Sequence, residues 1–437
     1  MRPRVLVGLC EISGYYGNLA RGMRELGVDC VALNLGPDPF AYGVDSALPR
    51  WVRVCVRLYG YGRERRCVRL SLAPLLLLLR TVLAVWATCR FDVYILGYRS
   101  TFLWYAELPV LRLLHKKIIY CFHGSDARPP YLDGSLMATD RGLSVADCAR
   151  LTRRSKRSLR RIERHADVIV CHAPFAQLLE RPFISFLTIG IPMPVSSAPK
   201  RAAGGPVRVV HAPSHPEAKG TPVIREIVAR LVSRGLPIDY IELTQRPNAE
   251  VRETLAGADV LLDQLYSDTP MPGLATEAAA VGCPTVIGGY EAEEIVQSTD
   301  ATSRPPSVFC HPDDLERELE RLLLDPAARL KVGVDARDFL LRTWQPSAVA
   351  ARYLRLATGD IPEAWWCTPG SETLTHGALL SDETRRHLVR TIVEAYGPGA
   401  LELEDKPALR ARLLEECSYP AEPHPRIESD GPAASRS

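Results

Sequence analysis

Short, nearly continuous apolar runs constrain this chain more than any other feature, because each is followed by a polar loop and then by apolar residues at helical spacing. In the first half the runs are "RVLVGLC" (Arg4 to Cys10), "VDCVALNL" (Val28 to Leu35), "FDVYILGY" (Phe91 to Tyr98), "KKIIYCFHGSD" (Lys116 to Asp126) and "ADVIVCHAP" (Ala166 to Pro174). Runs of this kind separated by helices, such as the one expected over Gly17 to Gly27, indicate a parallel sheet covered on both faces. A stretch of linker composition, "VSSAPKRAAGGP" (Val195 to Pro206), interrupts the pattern. It restarts with four more expected buried strands, "VRVVHAP", "IDYIELT", "ADVLLDQL" and "PTVIGG", and with helical spacing over Thr221–Arg234, Ala249–Ala256 and Leu274–Val281. The 437 residues therefore divide into two doubly wound α/β domains, 1–198 and 199–356, and the crevice between them is the expected ligand site. Residues 357–437 form an extension with a closing helix before it (Ser347–Leu356), a helical stretch at Asp382–Tyr396 and a tail of disordered composition over about its last 20 residues.

Charge is distributed unevenly. Residues 1–200 carry 29 Lys and Arg against 15 Asp and Glu, a net of +14, whereas the remainder nets −11. A basic half of this kind faces something anionic, such as a membrane surface or a phosphorylated acceptor. Nucleic acid is not expected, since the chain has no zinc-finger, helix-turn-helix or aromatic-basic RNA-binding signature. The twelve cysteines show no C-x-x-C pair, which points to reduced thiols in a cytoplasmic protein, and the N-terminus does not read as a signal peptide. Two segments raise membrane contact. "LSLAPLLLLLRTVLAVWATC" (Leu70 to Cys89) is read as a buried helix of the first domain, with an interfacial anchor as the alternative, because Pro74 and the central Arg80 oppose a span. "RLTRRSKRSLRRIERHAD" (Arg150 to Asp167) holds eight Lys or Arg and reads as a solvated helix face, with docking on anionic lipid at the inner membrane face as the alternative.

Three motifs carry a resemblance. One is the strand–loop–helix "VVHAPSHPEAKGTPVI", another is "ADVLLDQLYSDTPMPGLATEAAAVGCPTVIGG", and the last is "FHGSDAR" in the first half. Together they resemble the retaining glycosyltransferases of the GT-B fold, in particular family 4, over about residues 1–356. The resemblance implies a nucleotide-sugar donor as substrate, no cofactor and no metal, with transfer to an anionic, lipid-linked or small-molecule acceptor and retention of configuration. It implies that Lys219 stabilises the leaving diphosphate, that Glu277 accepts hydrogen bonds from the ribose, and that His123 contacts the transferred sugar. It further implies that the turns at Gly14 and at Gly273–Leu274 lie beside the phosphates. Two positions depart from the pattern. The usual arginine is replaced by Ser214, with His211 and His215 nearby, and the first of the paired glutamates by Thr269, with Asp268 one residue away. These departures keep a second reading open, that of a degenerate GT-B protein acting as a non-catalytic binding or scaffold subunit.

Overall fold

The computed structural model describes residues 3–37, 44–64, 72–97, 100–137, 143–195, 205–371 and 373–418. The core of the linker and the 198/199 boundary, at 196–204, and the tail from 419 onward lie outside the described residues.

Alternation along the strands decides how the first half packs. Its strands are β1 (Val5–Leu9), β2 (Cys30–Asn34), β3 (Val93–Gly97), β4 (Lys117–Cys121), β5 (Val168–Cys171) and β6 (Phe183–Ser185). They form a sheet in the order β12-β6-β5-β4-β3-β1-β2, parallel except for β12 (Trp366–Cys367), which runs antiparallel to β6. Leu6 and Leu9 of β1, like Ile118 and Tyr120 of β4, face one core. It is covered by helices α2 (Arg50–Glu64), α3 (Ala73–Arg90), α4 (Glu107–Leu113) and α5 (Val145–His165). Val5, Val7, Ile119 and Cys121 point to the other core, against α1 (Tyr15–Glu25).

The second half repeats the plan with β7 (Val207–His211), β8 (Ile238–Glu242), β9 (Val260–Leu262), β10 (Thr285–Gly288) and β11 (Val308–Cys310), all parallel, in the order β11-β10-β9-β7-β8. Its helices are α6 (Thr221–Ser233), α7 (Asn248–Ala256), α8 (Gly273–Ala280), α9 (Leu315–Leu324), α10 (Pro326–Phe339) and α11 (Pro346–Thr358). The sequence expectation of a buried strand at β8 does not hold. β8 is an edge strand, half-buried at all five positions, because β7 covers only one of its sides.

The two halves are stitched together. Met271, Ala275 and Ala279 near and on α8 share the second core with α1, and α11 lies directly on α1. At that crossing Gly22 is needed, since a Cβ there would stand 2.0 Å from the Pro346 carbonyl oxygen. The extension joins the first half: α12 (Asp382–Tyr396) and α13 (Pro407–Ser418) contribute Leu388, Ile392 and Leu413 to the core beside α5. It also reaches the second half, where Leu379 N–H donates to the Tyr266 carbonyl (2.7 Å) and the Glu291 carboxylate accepts from the N–H groups of Thr375 (2.9 Å) and His376 (3.0 Å).

A second correction concerns α3, expected as a buried helix. Only 22% of its 18-residue apolar window is buried. Leu76, Leu83, Ala84 and Ala87 pack inward, while Leu75, Leu78, Val82 and Val85 are exposed. A helix apolar all round shows the same hydropathy whether one face or both are covered.

The strap formed by residues 373–382 depends on charge. Burial, the largest single influence, favours a neutral Glu291 carboxyl, but the His376 side chain and the backbone N–H groups of Thr375 and His376 together outweigh it and the pKa is lowered. Burial likewise opposes charge on His376, yet its bonds to Asp382 and Glu291 raise its pKa above the ordinary 6.5. The Glu291 contribution is thus present above the ordinary carboxylate value and lost as pH falls; that of His376 is full below its ordinary value and lost as pH rises through the raised one. Limited proteolysis is expected to cut 373–382 slowly in the mildly acidic to neutral window and faster on either side. A cleavage rate independent of pH would contradict this, once corrected for the protease's own profile.

Candidate functional site

At the C-terminal ends of β1 and β2 a cavity of about 480 Å³ opens between the halves. Its first wall is the β1–α1 loop, with Glu11, Gly14 and Tyr16; the facing wall is Asn248, Arg252 and Glu277. Gly14 takes the left-handed conformation (φ 76°) at the start of α1, which a glycine adopts without strain. The N–H groups around it are already used. The Glu11 carboxylate accepts from Ile12 (2.9 Å), Tyr16 (3.0 Å) and Gly17 (2.9 Å), a negative charge at the positive end of a helix.

Glu277 projects from α8 toward Asn248, the first residue of α7, whose amide donates to both carboxylate oxygens (3.0 and 3.1 Å). Burial raises its pKa, against the opposing effects of Asn248 and Arg252. Gly273 and Leu274 open α8, and a Cβ on Gly273 would meet no atom within 4 Å. Gly273 itself is exposed at the first turn of α8, while Ala275 and Thr276 are buried. Asp268 does not replace the missing glutamate: it is buried against Arg128 of the first half, accepting from Arg128 Nε (3.0 Å) and Nη2. At Thr269 the carbonyl accepts from the Ser267 hydroxyl (2.8 Å).

The loop after β7 holds the other predicted residues. His211 is fully buried; its Nδ1–H donates to the Leu262 carbonyl (2.8 Å) and its Nε2 accepts from the Thr221 hydroxyl (2.8 Å). Burial lowers its pKa, so it is a neutral tie between β7, β9 and α6. Ser214 and His215 are exposed. The Lys219 ammonium donates to Asp263 Oδ1 (3.1 Å), a carboxylate with no solvent exposure at the end of β9. Gly220 is left-handed (φ 75°) and lies against Leu265, 2.6 Å from where its Cβ would be. The Lys-Gly pair thus presses the loop onto the strand end, and Asp263 is close enough to contribute to the raised pKa of Glu277.

His123 follows β4. Its Nε2 bonds the Tyr16 hydroxyl (2.9 Å), and its ring stands edge-on to Tyr15, Tyr16 and Phe186. Burial pushes its pKa down to about 3. Asp126 accepts from the N–H groups of His123 (2.9 Å) and Gly124 (3.1 Å), which fixes the turn. Gly14 and Glu277 thus face one cavity and His123 lies one hydrogen bond behind it, whereas Lys219, Ser214, Gly273 and Leu274 stand outside its lining.

No protein-family profile and no curated protein matches the chain. Solved structures do. Over 82% of this chain and 100% of its own, the Anabaena protein Alr3699/HepE in complex with UDP and glucose aligns with a TM-score of 0.50 at 10% identity. This chain has the GT-B glycosyltransferase fold. An α-glucosyltransferase in complex with UDP-glucose and DNA containing an abasic site (TM-score 0.46, 12% identity, 82% of this chain and 100% of that one) also aligns. So does the trehalose 6-phosphate synthase of Burkholderia multivorans (0.45, 14%, 82% and 100%).

Sequence reasoning passed over Glu11, Asn248, Arg252 and Arg128. Of these only Glu11 had a local signal, an acidic residue just ahead of a helix. The buried environment of His123 is directly measurable. Ring nitrogen shifts are expected to show a neutral imidazole throughout about pH 5 to 8. A midpoint near the ordinary 6.5 would contradict the enclosed geometry.

Proposed function

We propose that the chain is a glycosyltransferase that moves a sugar from a nucleotide-sugar donor to an acceptor with retention of configuration and without a metal. The observation that carries this reading is the cavity in which the β1–α1 loop faces Glu277, on a GT-B fold. The Glu277 carboxylate, oriented by Asn248, would accept from the two ribose hydroxyls, with Arg252 beside it to meet the negative donor. The first-turn N–H groups at Gly273 and Leu274 and the Ser214 hydroxyl would receive the diphosphate. Lys219 keeps two of its three donors after bonding Asp263, and these would hold the leaving phosphate as its charge grows.

The carboxylates in the cavity lining support a front-face mechanism. Glu11 is bound by helix N–H groups, Asp45 by Arg24 (2.9 Å) and the Ala32 N–H (2.8 Å), and Glu277 by Asn248. Among the described residues none of these three is placed as a general base, so the acceptor proton would pass to the departing phosphate itself. His123, neutral and buried, would act as a hydrogen-bonding wall for the sugar through Tyr16. The acceptor, whether anionic, lipid-linked or small, would dock on the basic first half in the cytoplasm.

Calorimetric titration of UDP-, GDP-, ADP- and TDP-sugars into the wild type and into Glu277→Gln and Lys219→Met tests this. One series is expected to bind, and each variant to lose about 1.5–3 kcal/mol, the range for a charge-assisted hydrogen bond. Absence of binding by all four series, or full retention by both variants, would contradict the proposal; binding without turnover across an acceptor screen would support a non-catalytic subunit.

A further inference from the structure

Three helices of the first half display exposed rows at one spacing, i, i+3, i+7 and onward, so each row lies on a single helix face. On α2 the row is Trp51, Val54 and Leu58; on α3 it is Leu75, Leu78, Val82 and Val85. On α5 it is Arg154, Arg157, Arg161 and Arg164, all exposed. None of these four arginines makes an ion pair with a described residue, although their neighbours Arg153 and Arg160 do.

Trp104 adjoins the basic row, and Arg80 reaches it from the inward side of α3. It is 64% exposed and lines a shallow groove with all four arginines, while the Arg80 guanidinium of α3 stacks 5.3 Å from its ring. Arg80 is itself half-buried, donating to the Thr101 carbonyl and lying 5.6 Å from the Tyr59 ring of α2. The backbone at Trp104 and Tyr105 is left-handed (φ 53° and 67°), a strained conformation for bulky residues. A strained turn therefore presents a tryptophan to the outside, braced from behind by an arginine.

We infer that this face docks on an anionic lipid bilayer, the apolar rows of α2 and α3 lying in the interface, Trp104 at headgroup depth and the α5 arginines on lipid phosphates. Helices α2, α3 and α5 cover the same core, and their outward rows supply the apolar side chains and the arginines, without ion pairs among the described residues, that suit an apolar interface and anionic headgroups. Other occupants fit less well. A second copy would gather eight of these guanidiniums in one interface without acidic counterparts. Residues 419–437 bring only Tyr419 and Ile427 as large apolar side chains, too few to cover two rows. Nor does α3 span, because its Leu76, Leu83 and Ala87 are packed into the protein core. The docking surface stands on its own geometry; only its consequence, a lipid-borne acceptor, rests on the glycosyltransferase reading.

Vesicle co-sedimentation tests it with the full chain and no nucleotide. Binding is expected to phosphatidylcholine vesicles containing about one third phosphatidylglycerol, to weaken with salt, and to be much weaker on phosphatidylcholine alone. Leu78→Asp/Val85→Asp and Arg157→Glu/Arg161→Glu, whose targets are exposed and whose folding is checked by circular dichroism, are each expected to bind at least about tenfold more weakly. The inference is overturned if the wild type ignores anionic vesicles or if both variants bind as well as it does. It is equally overturned if the wild type is a dimer that Leu78→Asp/Val85→Asp converts to a monomer.

Discussion

Arg128 holds the two halves of this molecule together from a position that is only 6% exposed, between Asp268 of the second half and Asp133 of the first. Its removal would strand two buried carboxylates, an arrangement that costs about 3–5 kcal/mol in comparable buried pairs. The ion pair also sets local geometry. It draws the turn carrying His123 and Asp126 against the loop that leads into α8, and it commits Asp268, which therefore does not stand in for the missing glutamate. The α1–α11 crossing at Gly22 and the strap anchored on Glu291 fix the same relative placement from two other sides. The cleft is therefore shaped by ties at its margins, and its walls are positioned before any ligand enters.

Within that cleft the polar groups satisfy one another. Glu11 holds the start of α1, Asn248 holds Glu277, and Asp263 holds Lys219. Such pairing keeps the cost of partial burial low and orients each side chain, which is what a preorganised site requires. On the proposed reading, a diphosphate would take the donors that Lys219 has left beside Asp263 and would stay clear of the Glu11 carboxylate at Gly14. Affinity would come from the donors left over, at Arg252, at the first turn of α8 and on Lys219 itself.

Much of the fold was legible because strands buried on both faces leave unbroken apolar runs, as at β1, β4 and β7, and because α12 has clear helical periodicity, matching Asp382–Tyr396 at both ends. β6, β11 and β12 were not, since two or three residues are too few to show a period. The exposed side of α3 was hidden for a different reason: hydropathy records what a helix is made of and says nothing about what covers it. In the site, Gly14 and Glu277 were found by motif, and the cavity brings them together. Their partners were not, because Asn248 and Glu277 are 29 residues apart and Arg128 and Asp268 are 140 apart, distances over which no local pattern operates. Residue type was likewise readable at His211 and Lys219 but direction was not: one is turned wholly inward, and the other is bound to a carboxylate beneath it.

On the proposed reading, a nucleotide diphosphate is received between the β7–α6 loop and the start of α8. Amide hydrogen exchange followed in saturating uridine, guanosine, adenosine or thymidine diphosphate tests it most directly. One of the four should slow exchange in both 213–221 and 272–277 and leave α2 and α3 unchanged. If none protects either segment, or if protection falls only outside the cleft, the claim is contradicted.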